Sequence, residues 1–211
     1  MFFYLIIGLT IGYFAGSLHG SLVANQLSGK NVKQLGTNNA GASNAFIQLG
    51  KKYGVLVAVI DIAKGAIALL IVYLIMQNSA THLPEKTQFF ILVVTGAAAV
   101  IGHNYPIWMR FEGGKGTATM IGMLLMLDWT WGLFALFTFL LVTWLTDYIV
   151  IGGIMLYLML IIQAFAEHST ASAVIGILLF IIMAIKHREN FERISNGTEK
   201  KVSESLKGKK A

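Results

Sequence analysis

The sequence predicts an all-α integral membrane protein with seven transmembrane helices, its N-terminus outside and its C-terminus cytoplasmic. Composition is the first observation behind that prediction. Of 211 residues, 56% are hydrophobic and only 12% charged, where soluble domains carry about 25% charged residues. The second is the pattern of run lengths, since the apolar residues fall in stretches near the ~20 that a helix needs to cross the hydrocarbon core. The third is the placement of the cations, which is strongly one-sided.

Taken in order, spans are expected near 2–26, 52–76, 87–109, 117–128, 130–146, 149–166 and 170–186. Residues 2–27 lack a basic leader and a small-residue cleavage site, so they read as a retained first span, not a signal peptide. The stretch 117–166 is divided into three by Asp128 and Asp147. Its first piece is short, and must be sheltered by neighbours or sit where the bilayer thins. A single membrane domain over 1–190 and a basic cytoplasmic tail over 191–211 complete the expected organisation.

With seven spans, the loops near 28–52, 104–116 and 147–149 share a side with the tail, and that side collects fourteen of the sixteen Lys and Arg residues. Lys30, Lys33, Lys51, Lys52, Arg110 and Lys115 lie in the loops and the rest in the tail. Lys64, inside a span, and Lys86, on the opposite side, are the exceptions. The positive-inside rule makes that side cytoplasmic. The same distribution accounts for the formal charge of +6 without nucleic acid, and the end from Ser203 to Ala211 is expected to be solvated and to graze anionic lipid. The chain has no cysteine, which excludes disulfides and thiolate catalysis.

Three polar constellations fall on the cytoplasmic side. Gly36-Thr37-Asn38-Asn39-Ala40-Gly41-Ala42-Ser43-Asn44 offers hydroxyls and amides with little bulk, suited to a phosphate or carbonyl oxygen, or alternatively to a flexible polar loop. Gly113-Gly114-Lys115-Gly116 follows Gly102-His103-Asn104-Tyr105-Pro106. A tight turn explains its glycines but not a lysine caged among them, whereas an anion cradle of backbone N–H groups explains both. At the exit of the last span stands Lys186-His187-Arg188-Glu189-Asn190. Topology accounts for its cations, and His187 and Asn190, one helical turn apart, share a face that could point back into the bundle. Asp61 and Lys64, one turn apart inside the second span, read as a self-neutralising pair. His103 is equally a helix-end hydrogen bonder or a site residue. No metal-ligand spacing, paired carboxylate, Ser-His-Asp pattern or Walker loop is present, so no metal or cofactor is expected.

Together these motifs resemble the bacterial acyl-phosphate:glycerol-3-phosphate acyltransferases, the PlsY family. The likeness runs in order through Gly16-Ser17, the first loop, Gly50-Lys51-Lys52-Tyr53-Gly54, Asp61 to Gly65 and Gly102-His103. It continues through Phe111, Gly113 to Thr119, His187-Arg188-Glu189-Asn190 and Asn196-Gly197-Thr198-Glu199. The resemblance implies a bacterial plasma-membrane enzyme with its site at the cytoplasmic face. It also implies transfer of a fatty acyl group from acyl phosphate to glycerol 3-phosphate, giving lysophosphatidic acid for phospholipid synthesis. The expected partners are those two substrates and the bilayer. In this reading Lys115, Thr37, His187 and Asn190 carry catalysis. Lys33, Asn39, Ser43, Asn44, His103, Gly113, Gly114 and Gly116 bind substrate, the glycine amides dispersing phosphate charge.

The chain also departs from the family pattern. Gly-Ser-Gly-Asn becomes Gly36-Thr37-Asn38-Asn39, and an Asp-x-Arg becomes Asn31 and Lys33. A phosphate-clamping arginine falls at Ile47, two serines fall at Val150 and Gly153, and a lysine falls at Glu112. An isoleucine offers a phosphate nothing. Three readings follow: glycerol 3-phosphate held by substitutes such as Lys33 or Lys51, an acyltransferase with another acceptor, or a non-catalytic membrane interaction subunit. A transporter fits less well, because polar residues are sparse on the outer face.

Overall fold

The computed structural model describes residues 1–79 and 82–206, so the last part of the expected basic tail, 207–211, lies outside the described residues. All regular structure among those residues is helical: α1 (Phe2–Ser17), α2 (Gly20–Ser28), α3 (Ala42–Leu49), α4 (Lys51–Gln77), α5 (Glu85–Asn104), α6 (Thr117–Leu127), α7 (Trp129–Thr146), α8 (Ile149–Ala166), α9 (Thr170–Lys186), α10 (Arg188–Ser195) and α11 (Val202–Leu206).

Among the described residues five spans are long and apolar enough to cross a membrane, α1 and α2 counting as one; the number is six if α9 is joined to α10, which is bent from it by 54°. The expected seventh is α6, whose 11 residues rise only about 16 Å, half the hydrocarbon thickness. It is sheltered by its neighbours. Gly65 of α4 lies against the backbone of Thr119, and Gly122 of α6 against that of Ile62, so the two helices meet backbone to backbone.

Two boundaries differ from the sequence reading. The first span is broken: Leu18 and His19 are extended, and the chain restarts at Gly20. The third stops at Asn104 rather than 109, because Pro106 cannot continue it and Tyr105 leaves helical geometry.

Helices in lipid gain little from hydrophobic burial and associate through close packing. The α1–α5 contact shows how. Gly8, Gly12 and Gly16 form a stripe along α1, and a Cβ on Gly12 would stand 2.9 Å from Cβ of Ala98. The shared core includes Leu69, Ile91, Met120, Met123, Leu156 and Leu160. Outward, Phe2, Phe14, Trp129, Phe137, Trp144 and Ile185 are exposed, as a lipid-facing surface requires.

The polar end of the bundle is stitched by side chains. The Tyr13 hydroxyl donates to Tyr105 O at 2.9 Å, and Trp108 Nε1–H to Ser17 O at 2.9 Å, fixing the turn after α5 to α1. The start of the tail folds back instead of trailing into solvent. Ser203 donates its N–H (2.8 Å) and hydroxyl (2.6 Å) to the Asp147 carboxylate in the α7–α8 turn, which holds that carboxyl below its usual range.

Candidate active site

The glycine loop is folded onto the end of α5. Gly113 N–H donates to Asn104 O and Gly114 N–H to His103 O, each at 3.1 Å. A Cβ on Gly114 would strike the His103 imidazole, and one on Gly113 would meet Pro106 Cδ at 2.6 Å and His19 Nε2 at 3.0 Å. These glycines therefore serve close packing. Their amides are spent, which corrects the expectation that Gly113 and Gly114 offer N–H groups to a phosphate. Among the described residues the amides of Lys115 and Gly116 have no partner, and the series continues into the first turn of α6, where helix geometry leaves N–H groups unbonded. Gly116 holds the corner at φ 85°, with Asn104 Oδ1 and Tyr157 Oη 3.0 and 3.2 Å from where a Cβ would stand. An anion here faces a helix N-terminus and a lysine together.

Lys115 is half-buried, and its ammonium donates to Asn190 Oδ1. Asn190 Nδ2–H in turn donates to Glu199 at 2.6 Å, and Arg193 Nε–H donates to the other oxygen of that carboxylate at 2.5 Å. Burial, reinforced by the Arg193 charge, lowers the Lys115 pKa to about 8. His187 is buried, and its Nδ1–H donates to Met183 O at 3.0 Å, which leaves Nε2 as the acceptor nitrogen. Lys186 lies 4.9 Å from the Tyr105 ring centre. Loop and last span thus converge as expected. Arg193 and Glu199 join them, two residues that the sequence reading noted without giving either a role in the site.

The first polar loop is organised by Asn44. Its Oδ1 accepts Thr37 N–H at 3.2 Å, and its Nδ2 reaches Val32 O, Leu35 O and Asn39 O at 2.9–3.0 Å. Asn44 is buried and both ends of its amide bond the loop backbone, so its chief part is to shape the loop, where direct contact with substrate was expected. Thr37 and Ser43 are exposed and Asn39 half-buried; none makes a side-chain hydrogen bond among the described residues. Asn38, in place of the family's glycine, sits at φ 54°, a region asparagine tolerates better than most residues. Lys33 reaches across to Glu112 at 2.6 Å, tying this loop to the glycine loop. Val150 is buried. Gly153 faces Thr117, whose Oγ1 lies 3.8 Å from where a Cβ would be.

His103 is 2% exposed. It lies beneath the loop instead of lining its open face, so the helix-end reading of this residue is the one the geometry follows. Around it the ligand atoms of His19, Asp61 and His103 fall within 4.8 Å of one another. Lys64 occupies the middle of that group, 2.9 Å from Asp61 Oδ1 and 2.8 Å from His103 Nδ1.

Residues 6–197 match the family model described as glycerol-3-phosphate acyltransferase. The chain belongs to that family. Glycerol-3-phosphate acyltransferase 1 of Oceanobacillus iheyensis is 39% identical over 208 residues, covering 99% of each chain. Glycerol-3-phosphate acyltransferase 2 of Thermotoga maritima is 31% identical over 194 residues, covering 92% of this chain and 94% of the relative. Among solved structures, PlsY, an integral membrane glycerol 3-phosphate acyltransferase, matches in its glycerol 3-phosphate form. The TM-score is 0.79 at 29% identity, over 93% of this chain and 94% of that one. Its lysophosphatidic acid form matches at TM-score 0.77 and 28% identity.

Proposed function

We propose that this acyltransferase, which by family acts on glycerol 3-phosphate in phospholipid synthesis, draws its acyl group from an acyl phosphate and works at the cytoplasmic face of a bacterial plasma membrane. Seven spans, α6 being the short one, with the N-terminus outside, put both polar loops and the tail on the cation-rich side.

The observation that carries the reading is Lys115 beside unspent amides at the start of α6, within reach of Asn190. Acyl phosphate is already activated, so the protein has to align, neutralise and exclude water. The glycerol hydroxyl oxygen forms a bond to the acyl carbon, and the carbon–oxygen bond to phosphate breaks. The leaving phosphate keeps that electron pair and takes the hydroxyl proton. Lys115 and the amides of Lys115 and Gly116 hold the phosphate charge. Thr37, Asn39 and Ser43, with Lys33, face the acceptor, and His187 Nε2 and Asn190 close the site from the last span.

A donor test is direct. Offered glycerol 3-phosphate with either palmitoyl phosphate or a palmitoyl thioester, purified protein forms lysophosphatidic acid only from the phosphate; equal use of the thioester contradicts the reading. Because the natural chain has no cysteine, single cysteines test orientation. Lys86→Cys is labelled from outside and Lys30→Cys only after permeabilisation.

A further inference from the structure

Asp61 and Lys64 are buried in α4, where a charge inside a span is costly unless it is paired. Their pairing at 2.9 Å offsets that cost, but the pair does more than neutralise itself. Lys64 Nζ also donates to Leu18 O at 2.8 Å, the carbonyl freed by the α1–α2 break, and to His103 Nδ1 at 2.8 Å. Asp61 Oδ1 accepts Gly20 N–H at 3.1 Å on the far side of the same break.

An ammonium has three N–H groups and no acceptor, so all three are used and His103 Nδ1 must be the accepting nitrogen. The ring proton therefore sits on Nε2, the nitrogen lying against Gly114. The backbone of His103 is held as well. Its carbonyl accepts Gly114 N–H at 3.1 Å and His19 Nε2–H at 2.9 Å. The His19 ring stacks on that of His103 at 4.5 Å. The two backbone hydrogen bonds that hold Gly113 and Gly114 on the end of α5 go to Asn104 and His103, and the contacts on His103 lead back to His19, Lys64 and Asp61.

We propose that Asp61, Lys64 and His19 are positioning residues for acyl transfer. They lock the tautomer and carbonyl of His103, and through it the loop that presents Lys115 and the amides of Lys115 and Gly116 to the donor phosphate. The inference rests on the phosphate reading of that loop.

The test has three arms. In protein labelled with 15N-histidine, His103 is expected to carry its proton on Nε2 with Nδ1 bare; a proton on Nδ1 overturns the lock, whatever the substrate. The double variant Asp61→Asn/Lys64→Met removes both charges together, a change that is often neutral for a purely structural buried pair. It is expected to keep the wild-type melting temperature while kcat falls about 10²-fold, as for a misplaced catalytic group, and KM for glycerol 3-phosphate stays put. Wild-type kcat in that variant overturns the proposal. Should the double variant fail to fold, His19 decides: His19→Ala loses roughly 10-fold in kcat and His19→Gln, which keeps a donor for the His103 carbonyl, recovers most of it. Equal activity in both overturns the positioning role. A wild type inert toward palmitoyl phosphate overturns the donor reading instead.

Discussion

The two polar loops that form the candidate site are built on opposite plans. The glycine loop is bolted to a buried scaffold: two of its amides bond the end of α5, and its glycines sit against His103, Pro106 and His19. The first loop is held chiefly by one side chain, Asn44, and presents exposed Thr37 and Ser43. Among the described residues a single ion pair, half-buried Lys33 to exposed Glu112, joins the two loops directly. In the resemblance read from the sequence, the departures Asn31, Lys33 and Asn38 fall in the first loop and Ile47 in α3 behind it, while Gly113 to Gly116 carry none and Glu112, just before them, carries one. A loop whose backbone is packed against buried groups has few tolerated substitutions, whereas one organised by a single asparagine can change its exposed residues freely.

That contrast is broken or sharpened by substitution. The largest effect is expected for Gly114→Ala, whose methyl collides with His103. Overpacking of about 1–3 kcal/mol should lower the melting temperature, and activity should fall by about 10². Retained activity would show the loop to be pliant. Next comes Asn190→Ala, which removes the partner of Lys115 and leaves Glu199 to Arg193 alone; it should cost roughly 10- to 100-fold in kcat, as for a misplaced catalytic group. Of intermediate size is the pH response. With the Lys115 pKa near 8, the charged amine predominates below that value and is lost above it. Turnover should hold up to about pH 8 and decline beyond, and Lys115→Arg should remove the alkaline decline in whatever activity it retains. The smallest effect belongs to Lys33→Gln, which should change KM for glycerol 3-phosphate within roughly fivefold, the worth of an exposed pair. A much larger change would make Lys33 the substitute for the arginine missing at Ile47.

The sequence exposed those features that lie along the chain. Run lengths and Asp128 and Asp147 gave helices 129–146, 149–166 and 170–186 within a residue, because Asp128 caps α7 through Trp131 N–H and Asp147 adopts φ 65° at its end. The caged lysine and the His187–Asn190 pair were visible as motifs, but the expected single helix face is interrupted, since His187 sits at the 54° bend between α9 and α10. What lay across the chain was not. That His19 stacks on His103 is not written along the chain, since the break at Leu18 that brings it there falls inside a stretch read as one span. Nor does a glycine reveal whether its amide is free: Gly113 and Gly114 look like a cradle in one dimension and are fasteners in three. Asn44 reads as a ligand group by composition and is consumed by its own loop.

The central claim is that Lys115 and the start of α6 form the transfer site. It is tested most directly by giving Lys115→Ala and wild-type protein, matched for melting temperature, palmitoyl phosphate and glycerol 3-phosphate and measuring lysophosphatidic acid. The account predicts steady product from the wild type and a loss of at least about 10²-fold in the variant. A folded Lys115→Ala protein that makes product at a rate near wild type contradicts it.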